Sequence, residues 1–287
     1  MTEPTRKSFW IGQIDRKYGL QNAVRVGIVL VVPSIVVCVF VLSNRESASR
    51  SECENQLKMI GLALHQYVDS HDSFPAGTVF NPGLITSRRL SWLVSAWSEG
   101  IGDGQLHLEG DRSKARDQWP NRAMKVSSIE DREGNRWNAS PVYRQCPAHP
   151  LPELLHQPKL LAYVGVGELG LDAPTLPANH EQAGMFAYDR VTRVRDVTDG
   201  LSNTMMVIET SVDNGPWTAG GWATVRPLDS ARQPYIGAGR QFGGYHRDGV
   251  NVLFADGAVR FVRDAVNSRH LESLSTIAGV QMGDGAY

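Results

Sequence analysis

The longest apolar stretch of the chain lies near its start. From Val26 to Leu42, 17 successive residues carry no charge. A helix of this length spans roughly 25 Å, which is less than a hydrocarbon core of about 30 Å. The residues just before it, up to a snorkelling Arg25, supply the missing turn. The pattern predicts a transmembrane helix over about residues 23–44.

A second pattern follows directly. Apolar residues recur with helical spacing at Leu57, Ile60, Leu64 and Val68, and no proline interrupts the chain from 45 to 74. We expect one long spine helix over about residues 45–73, continuous with the membrane helix, that ends near Asp72 because Pro75 follows.

Beyond residue 158 the chain alternates short apolar runs with glycine and turn residues. Runs at 160–166, 184–188, 205–209 and 217–225 predict strands, and the runs 251–255 and 258–262 flank Asp256 and Gly257. An Asp-Gly pair permits the positive φ angles of a tight hairpin. With a closing helix near 268–277, the fold class expected is α+β, a spine helix packed on an antiparallel β-sheet.

The charge on either side of the apolar stretch predicts its orientation. Five basic residues precede it within residues 1–25, whereas the two that closely follow, Arg45 and Arg50, are diluted by three glutamates. The positive-inside bias gives a cytoplasmic segment 1–22 and an extracytoplasmic domain 45–287, in the periplasm or at the cell surface. Two alternatives remain open: a signal peptide cleaved after 47–49, and a weaker lipoprotein signal at Cys38.

Three cysteines bear on the compartment. Cys38 lies in the apolar stretch, while Cys53 and Cys146 lie in the predicted head. If the head is exported, Cys53 and Cys146 can form one disulfide; if it is cytosolic, both stay reduced.

Composition and motifs restrict the function. With 29 basic and 30 acidic residues the net charge is −1, which provides no broad field for nucleic acid. The sequence also lacks the common hydrolase, nucleotide-binding loop and paired-cysteine zinc motifs. We therefore expect a protein that is not an enzyme, with no cofactor and no nucleic-acid partner.

Two clusters are candidates for ligand binding. Oxygen and nitrogen groups near one turn could hold a metal ion such as calcium, although a simple turn explains them better; they are His246, Asp248 and Asp256. The aromatic region 217–245 could stack on a carbohydrate or small solute, although core packing is the simpler explanation; its candidate residues are Trp217, Trp222, Tyr235 and Tyr245.

Six motifs, read in order, resemble the DUF1559 family, the pilin-like proteins abundant in planctomycete bacteria and once labelled a solute-binding family. They are CENQLKMIGLALHQY at 53–67 with FPAG at 74–77, CP at 146–147, AYVG at 162–165, VTDGLSNT at 197–204, FADGAVRF at 254–261 and LSTIAG at 274–279. The resemblance implies a pseudopilin-like head on a membrane helix and supports a bond between Cys53 and Cys146. The family's usual prepilin-peptidase site is missing, which favours a permanently anchored head.

The function that follows is a non-enzymatic, membrane-anchored, pilin-like envelope protein, an accessory of a secretion or pilus-like assembly. Its expected partners are the lipid bilayer and envelope or pilus-like proteins. The alternative is an extracytoplasmic module that binds a carbohydrate or solute through the aromatic region 217–245.

Overall fold

The structure is a computed structural model that describes residues 37, 40, 43–99, 105–106, 129–130, 136–137, 146–148, 161–170 and 174–279. The predicted cytoplasmic segment 1–22 and most of the predicted membrane helix 23–44 lie outside these residues. Within the part of the chain that is described, no helix combines the length and apolarity needed to cross a bilayer. Backbone contacts divide the chain into two units, 1–48 and 49–287.

A long helix, α1, runs over residues 43–71. Its buried face carries Cys53, Leu57, Ile60 and Leu64, which follow one another at intervals of three or four residues. The helix ends close to the predicted position. Asp72 takes a left-handed backbone conformation with φ 55°, and its N–H still donates to a carbonyl in the last turn.

In the part of the chain that the structure describes, eight strands form two sheets. The strands β1 (Gln105–Leu106), β2 (Ile129–Glu130) and β3 (Arg136–Trp137) make a small antiparallel sheet in that order. The larger sheet has the order β6-β4-β5-β7-β8, and its strands are β4 (Tyr163–Leu169), β5 (Met205–Glu209), β6 (Val225–Leu228), β7 (Gly249–Phe254) and β8 (Val259–Arg263). The α+β class is as expected.

The prediction of a purely antiparallel sheet is wrong, because β6 pairs with β4 in parallel, with Gly165 opposite Val225. One edge of β5 is paired with β4 and the other with β7. The strand that follows β5 in sequence must therefore cross over to the far side of β4, where its direction matches that of β4. The connection over residues 210–224 is long enough for this crossover.

The predicted hairpin is present as β7 and β8, which pair from Gly249 opposite Arg263 to Leu253 opposite Val259. Its turn is longer than the two residues expected. The Phe254 N–H donates to the Ala258 carbonyl at 2.9 Å, and Gly257 between them has φ 85°. A glycine with positive φ at the end of a three-residue turn is a common hairpin form.

Each face of the large sheet is covered by a helix. The buried side of α1 packs with Tyr163, Val207 and Leu253 in one apolar cluster. A last helix, α3 (Ser268–Ser275), adds Leu271 and Leu274 to a second cluster on the other face. Because alternate residues of a strand point to opposite faces, the same strands supply both clusters.

Two segments singled out in the sequence meet at the end of α3. Asp199, in the segment 197–204, accepts hydrogen bonds through Oδ2 from the Gly279 N–H at 2.8 Å and from Thr276 Oγ1 at 3.3 Å. The Asp199 N–H in turn donates to the Ile277 carbonyl at 3.2 Å. The turn before β5 thus anchors the chain that leaves α3.

A short helix, α2 (Trp92–Glu99), contributes to the same apolar cluster as Tyr163 of β4 and Val225 of β6. The ring of Trp92 stacks on Phe186 with centroids 4.8 Å apart, and its Nε1–H donates to the Thr224 carbonyl at 2.9 Å. The indole thereby buries a large apolar surface and still satisfies its polar group.

Candidate functional site

Two cysteines and a histidine meet in the interior of the head, and we call Cys53, Cys146 and His246 the thiol–histidine cluster. The sulfur of Cys53 lies 3.1 Å from that of Cys146, and the Cys146 sulfur lies 3.3 Å from His246 Nε2. All three ligand atoms lie within 4.8 Å of one another, and both cysteines are free thiols.

Each member comes from a different part of the chain. Cys53 lies on the buried face of α1, one turn before Leu57, and is positioned by the packing of that helix on the sheet. Cys146 belongs to the described segment 146–148, and His246 lies just before β7. The cluster therefore ties the first helix, a middle segment and the last hairpin to one point.

A buried carboxylate stands beside the cluster. Glu209 ends β5, is only 1% exposed, and directs Oε1 to a position 3.7 Å from His246 Nε2. Asn251 holds this carboxylate, since its backbone N–H donates to Oε2 at 2.7 Å and its Nδ2–H to Oε1 at 3.1 Å. Burial raises the pKa of Glu209 above its ordinary value, although His246 and the Asn251 hydrogen bonds act in the opposite direction.

The environment of Cys53 disfavours its thiolate form. The hydrogen bond to Cys146 and the burial of the sulfur raise the pKa of Cys53 far above its ordinary value, while His246 partly opposes the shift. A protonated, buried thiol is a weak nucleophile. The two sulfurs can instead lose their hydrogens to form a disulfide, or exchange their protons for a metal ion.

Tyrosines line the cluster on two sides. The hydroxyl of Tyr163 donates to Gln56 Oε1 at 2.9 Å, and burial raises its pKa well above the ordinary value. The hydroxyl of Tyr245 accepts from Asn214 Nδ2 at 3.1 Å, and burial, with the nearby Cys146 sulfur, raises its pKa to about 12. Both phenols are therefore neutral hydrogen-bonding groups at physiological pH.

The structure does not bring His246, Asp248 and Asp256 together at one point. The His246 side chain is fully buried against Cys146, whereas both aspartates are exposed at opposite ends of β7. A strand of six residues separates such positions by roughly 20 Å. Asp256 instead accepts from the Ala258 N–H within the hairpin turn.

Asp248 lies at a surface depression lined by residues of both charges, which are Arg50, Arg247, Arg263 and Asp264. Its own backbone is left-handed, with φ 63°.

The four predicted aromatic residues do not form one exposed surface. Trp217 is 2% exposed and belongs to the cluster under α1, while Tyr235 is 1% exposed and belongs to the cluster under α3. Tyr245 is partly buried beside the thiol–histidine cluster. Trp222 alone of the four is substantially exposed, at 38%, with the guanidinium of Arg226 5.9 Å from its ring.

The sequence reasoning missed Glu209 and Asn251. A signal for both was present, because Glu209 ends an otherwise apolar strand and Asn251 lies inside one. Buried polar groups need partners. Two such residues on neighbouring strands were therefore candidate hydrogen-bond partners.

Comparison with known proteins gives one match. The model of a family described as a protein of unknown function (DUF1559) matches residues 43–232 and 213–269. These ranges include all three residues of the thiol–histidine cluster as well as Glu209 and Asn251. No curated protein and no solved structure is significantly similar to the chain.

Proposed function

Since the chain belongs to the DUF1559 family, we propose that it is a non-enzymatic, membrane-anchored, pilin-like envelope protein. The observation that carries the proposal is α1, a long helix whose C-terminal part packs on the sheet through Cys53, Leu57, Ile60 and Leu64. We propose that this spine helix continues, toward the N-terminus, into the membrane segment predicted at 23–44. The accompanying role is that of an accessory of a secretion or pilus-like assembly.

Two exposed apolar side chains support the anchor. Within the apolar stretch 26–42 the structure describes Val37 and Phe40. Their side chains are 60% and 65% exposed. Exposed side chains of this kind within a continuous apolar stretch, unlike single ones elsewhere, mark a surface that lipid or another protein covers. The bilayer is the cover that we propose, with the N-terminus in the cytoplasm and the head outside.

The burial of the thiol–histidine cluster supports a structural role over an enzymatic one. Cys53 and Cys146 are fully buried, as is the side chain of His246. A substrate must reach a nucleophile or a base within hydrogen-bond distance for either to act in catalysis. Side chains with no accessible surface serve better to fasten the segments that carry them.

We propose a disulfide as the fastening in the exported head. Exchange with the disulfide of a carrier protein, which takes up the two hydrogens, would join Cys53 to Cys146 and bring their sulfurs from 3.1 Å to about 2.05 Å. The bond would close a loop of 93 residues between α1 and the segment 146–148. Loops of this length stabilise the folded state by roughly 4–5 kcal/mol in the chain-entropy description.

The anchor is tested by fractionation of cells that express the full chain with a C-terminal tag. We expect the protein to stay in the membrane fraction after a high-salt wash. We also expect added protease to digest the C-terminal tag only when it can reach the outer face of the membrane. Replacing Val31 and Val32 by aspartate puts two charges at the centre of the predicted span, at roughly 2.5–3.5 kcal/mol each, and should release the protein. Leu62→Ser, at a half-exposed position of α1, is the matched control and should stay bound.

Release of the wild-type chain by high salt alone would overturn the anchor. The disulfide is tested separately, by the intact mass of the protein before and after reduction. A gain of about two mass units, absent in Cys146→Ser, is expected for one bond. An unchanged mass would mean that the head keeps both thiols.

A further inference from the structure

We propose that the thiol–histidine cluster, when its cysteines are reduced, binds one thiophilic divalent metal ion such as Zn²⁺. Two cysteine sulfurs and one imidazole nitrogen are a ligand set that zinc prefers, and Cys53, Cys146 and His246 bring these atoms within 4.8 Å of one another. The inference does not rest on the membrane anchor, because all three residues belong to the head.

The distances require only a small adjustment. Zinc bonds of about 2.3 Å to sulfur and 2.0–2.1 Å to nitrogen, at tetrahedral angles, separate the two sulfurs by about 3.8 Å and sulfur from nitrogen by about 3.6 Å. The observed separations are 3.1 Å for Cys53 to Cys146 and 3.3 Å for Cys146 to His246. The sulfur–sulfur separation must therefore grow by roughly 0.7 Å and the Cys146–His246 separation by roughly 0.3 Å. The Cys53–His246 separation is already below 4.8 Å, and rotation of the two short cysteine side chains can adjust all three.

Charge balance favours an ion at this point. Cys53 and Cys146 are both fully buried, and a thiolate without a partner would be costly at such a position. A divalent ion displaces the two protons and leaves a neutral unit of one dication and two thiolates, which a buried site accommodates far better than an isolated charge.

Glu209 is the carboxylate poised for the fourth position of the ion. Its Oε1 faces the same nitrogen of His246 at 3.7 Å, and Asn251 fixes its direction through two hydrogen bonds. A carboxylate on that side of the ring cannot accept from the other ring N–H of a metal-bound histidine. Its role would instead be that of a further ligand, since carboxylate oxygen is one of the ligand types that zinc accepts.

The direct test is a titration of the full-length protein, reduced by a phosphine, stripped of metal and kept under argon. Co²⁺ reports thiolate and tetrahedral ligands by its absorption spectrum. We expect one Co²⁺ per chain with a sulfur-to-cobalt charge-transfer band, and displacement of the cobalt by Zn²⁺. His246→Gln and Glu209→Gln should each weaken binding at least about tenfold, whereas His71→Gln, which removes an exposed histidine of α1, should leave it unchanged.

A second measurement keeps the proposal falsifiable if a variant does not fold. In the wild-type reduced protein, Zn²⁺ should slow the alkylation of Cys53 and Cys146, located by peptide mass analysis, and leave that of Cys38 unaltered. Folded, reduced protein that takes up no stoichiometric Co²⁺, or equal alkylation rates with and without Zn²⁺, would overturn the metal site. Metal-sensitive alkylation in a chain that high salt releases from membranes would support the site and remove the anchor.

Discussion

Asn251 binds both carboxylate oxygens of Glu209, one through its backbone N–H and the other through its side-chain amide. The two residues lie on neighbouring strands, β7 and β5, and both are almost completely buried. Because a buried carboxylate without partners is destabilising, this pair sets the stability of the head as well as the surroundings of His246.

Removal of the amide should therefore be costly. In Asn251→Ala the backbone hydrogen bond remains, but Glu209 Oε1 loses its donor at 3.1 Å. We expect the free energy of unfolding to fall by about 1–3 kcal/mol, measured by urea denaturation. Asn55→Ala, at an exposed position of α1, is the matched control and should change stability by less than about 0.7 kcal/mol. Equal effects of the two changes would contradict the role of the pair.

Stability should also depend on the protonation of Glu209. Burial raises its pKa above the ordinary value of 4.5, so the folded state binds this proton more tightly than the unfolded state. The stabilisation is present below about pH 4.5 and is lost as the pH rises through the raised pKa. Glu209→Gln, which stays neutral, should gain stability relative to the wild type as the pH rises from 4 to 7 in metal-free protein.

The measurement is urea denaturation of both proteins across that range of pH. Met59→Gln, an exposed and uncharged change on α1, should keep a constant difference from the wild type. A difference between Glu209→Gln and the wild type that shrinks with rising pH would show that His246 and Asn251 outweigh burial.

Close backbone packing at Gly184 yields a further prediction. A Cβ atom there would lie 1.7 Å from the carbonyl oxygen of Gly167 in β4, and a backbone atom cannot move aside as a flexible side chain can. Gly184→Ala should destabilise the head by at least about 1–3 kcal/mol, seen as a lower thermal midpoint. Gly83→Ala, where the nearest atom is 3.4 Å away, should leave the midpoint nearly unchanged.

The two tryptophans of the aromatic region should behave differently. Trp217 is buried under α1, so Trp217→Ala should lower stability by roughly 3–5 kcal/mol. Trp222 is 38% exposed, so Trp222→Ala should lower the stability by less than half as much. Wild-type binding to a glycan array that is lost in Trp222→Ala, with the fold intact by circular dichroism, would support the carbohydrate-binding alternative. An array without signal for the wild type would contradict that alternative.

Local patterns predicted the local structure well. The spacing of Leu57, Ile60 and Leu64 gave α1 and its buried face, and the Asp256-Gly257 pair gave the β7–β8 hairpin, because helix periodicity and turn chemistry depend on neighbouring residues alone. The hairpin turn is one residue longer than predicted, with Gly257 as its last residue in a positive φ. The prediction of strands at 184–188 and 217–225 is wrong, because the first run is irregular and the second enters a strand only at its last residue.

Long-range relationships were not predictable in the same way. Nothing near Val225 in the sequence indicates that β6 pairs in parallel with β4, because that choice is made by which sheet edges remain open. His246 was grouped with the nearby Asp248, yet its partners are Cys146 and Glu209. The proximity of residues from three distant segments is a property of the tertiary fold, and it cannot be predicted from their spacing along the chain.

The packing of α1 also determines the order in which the head can be completed. Its buried stripe is made early in synthesis, but the strands that cover it, β4, β5 and β7, begin only at Tyr163, Met205 and Gly249. Until all three strands have emerged, the apolar side of the helix lacks the complete sheet on which it packs. A nascent chain therefore carries an exposed apolar helix for most of its synthesis, which makes it a substrate for chaperones that recognise such surfaces.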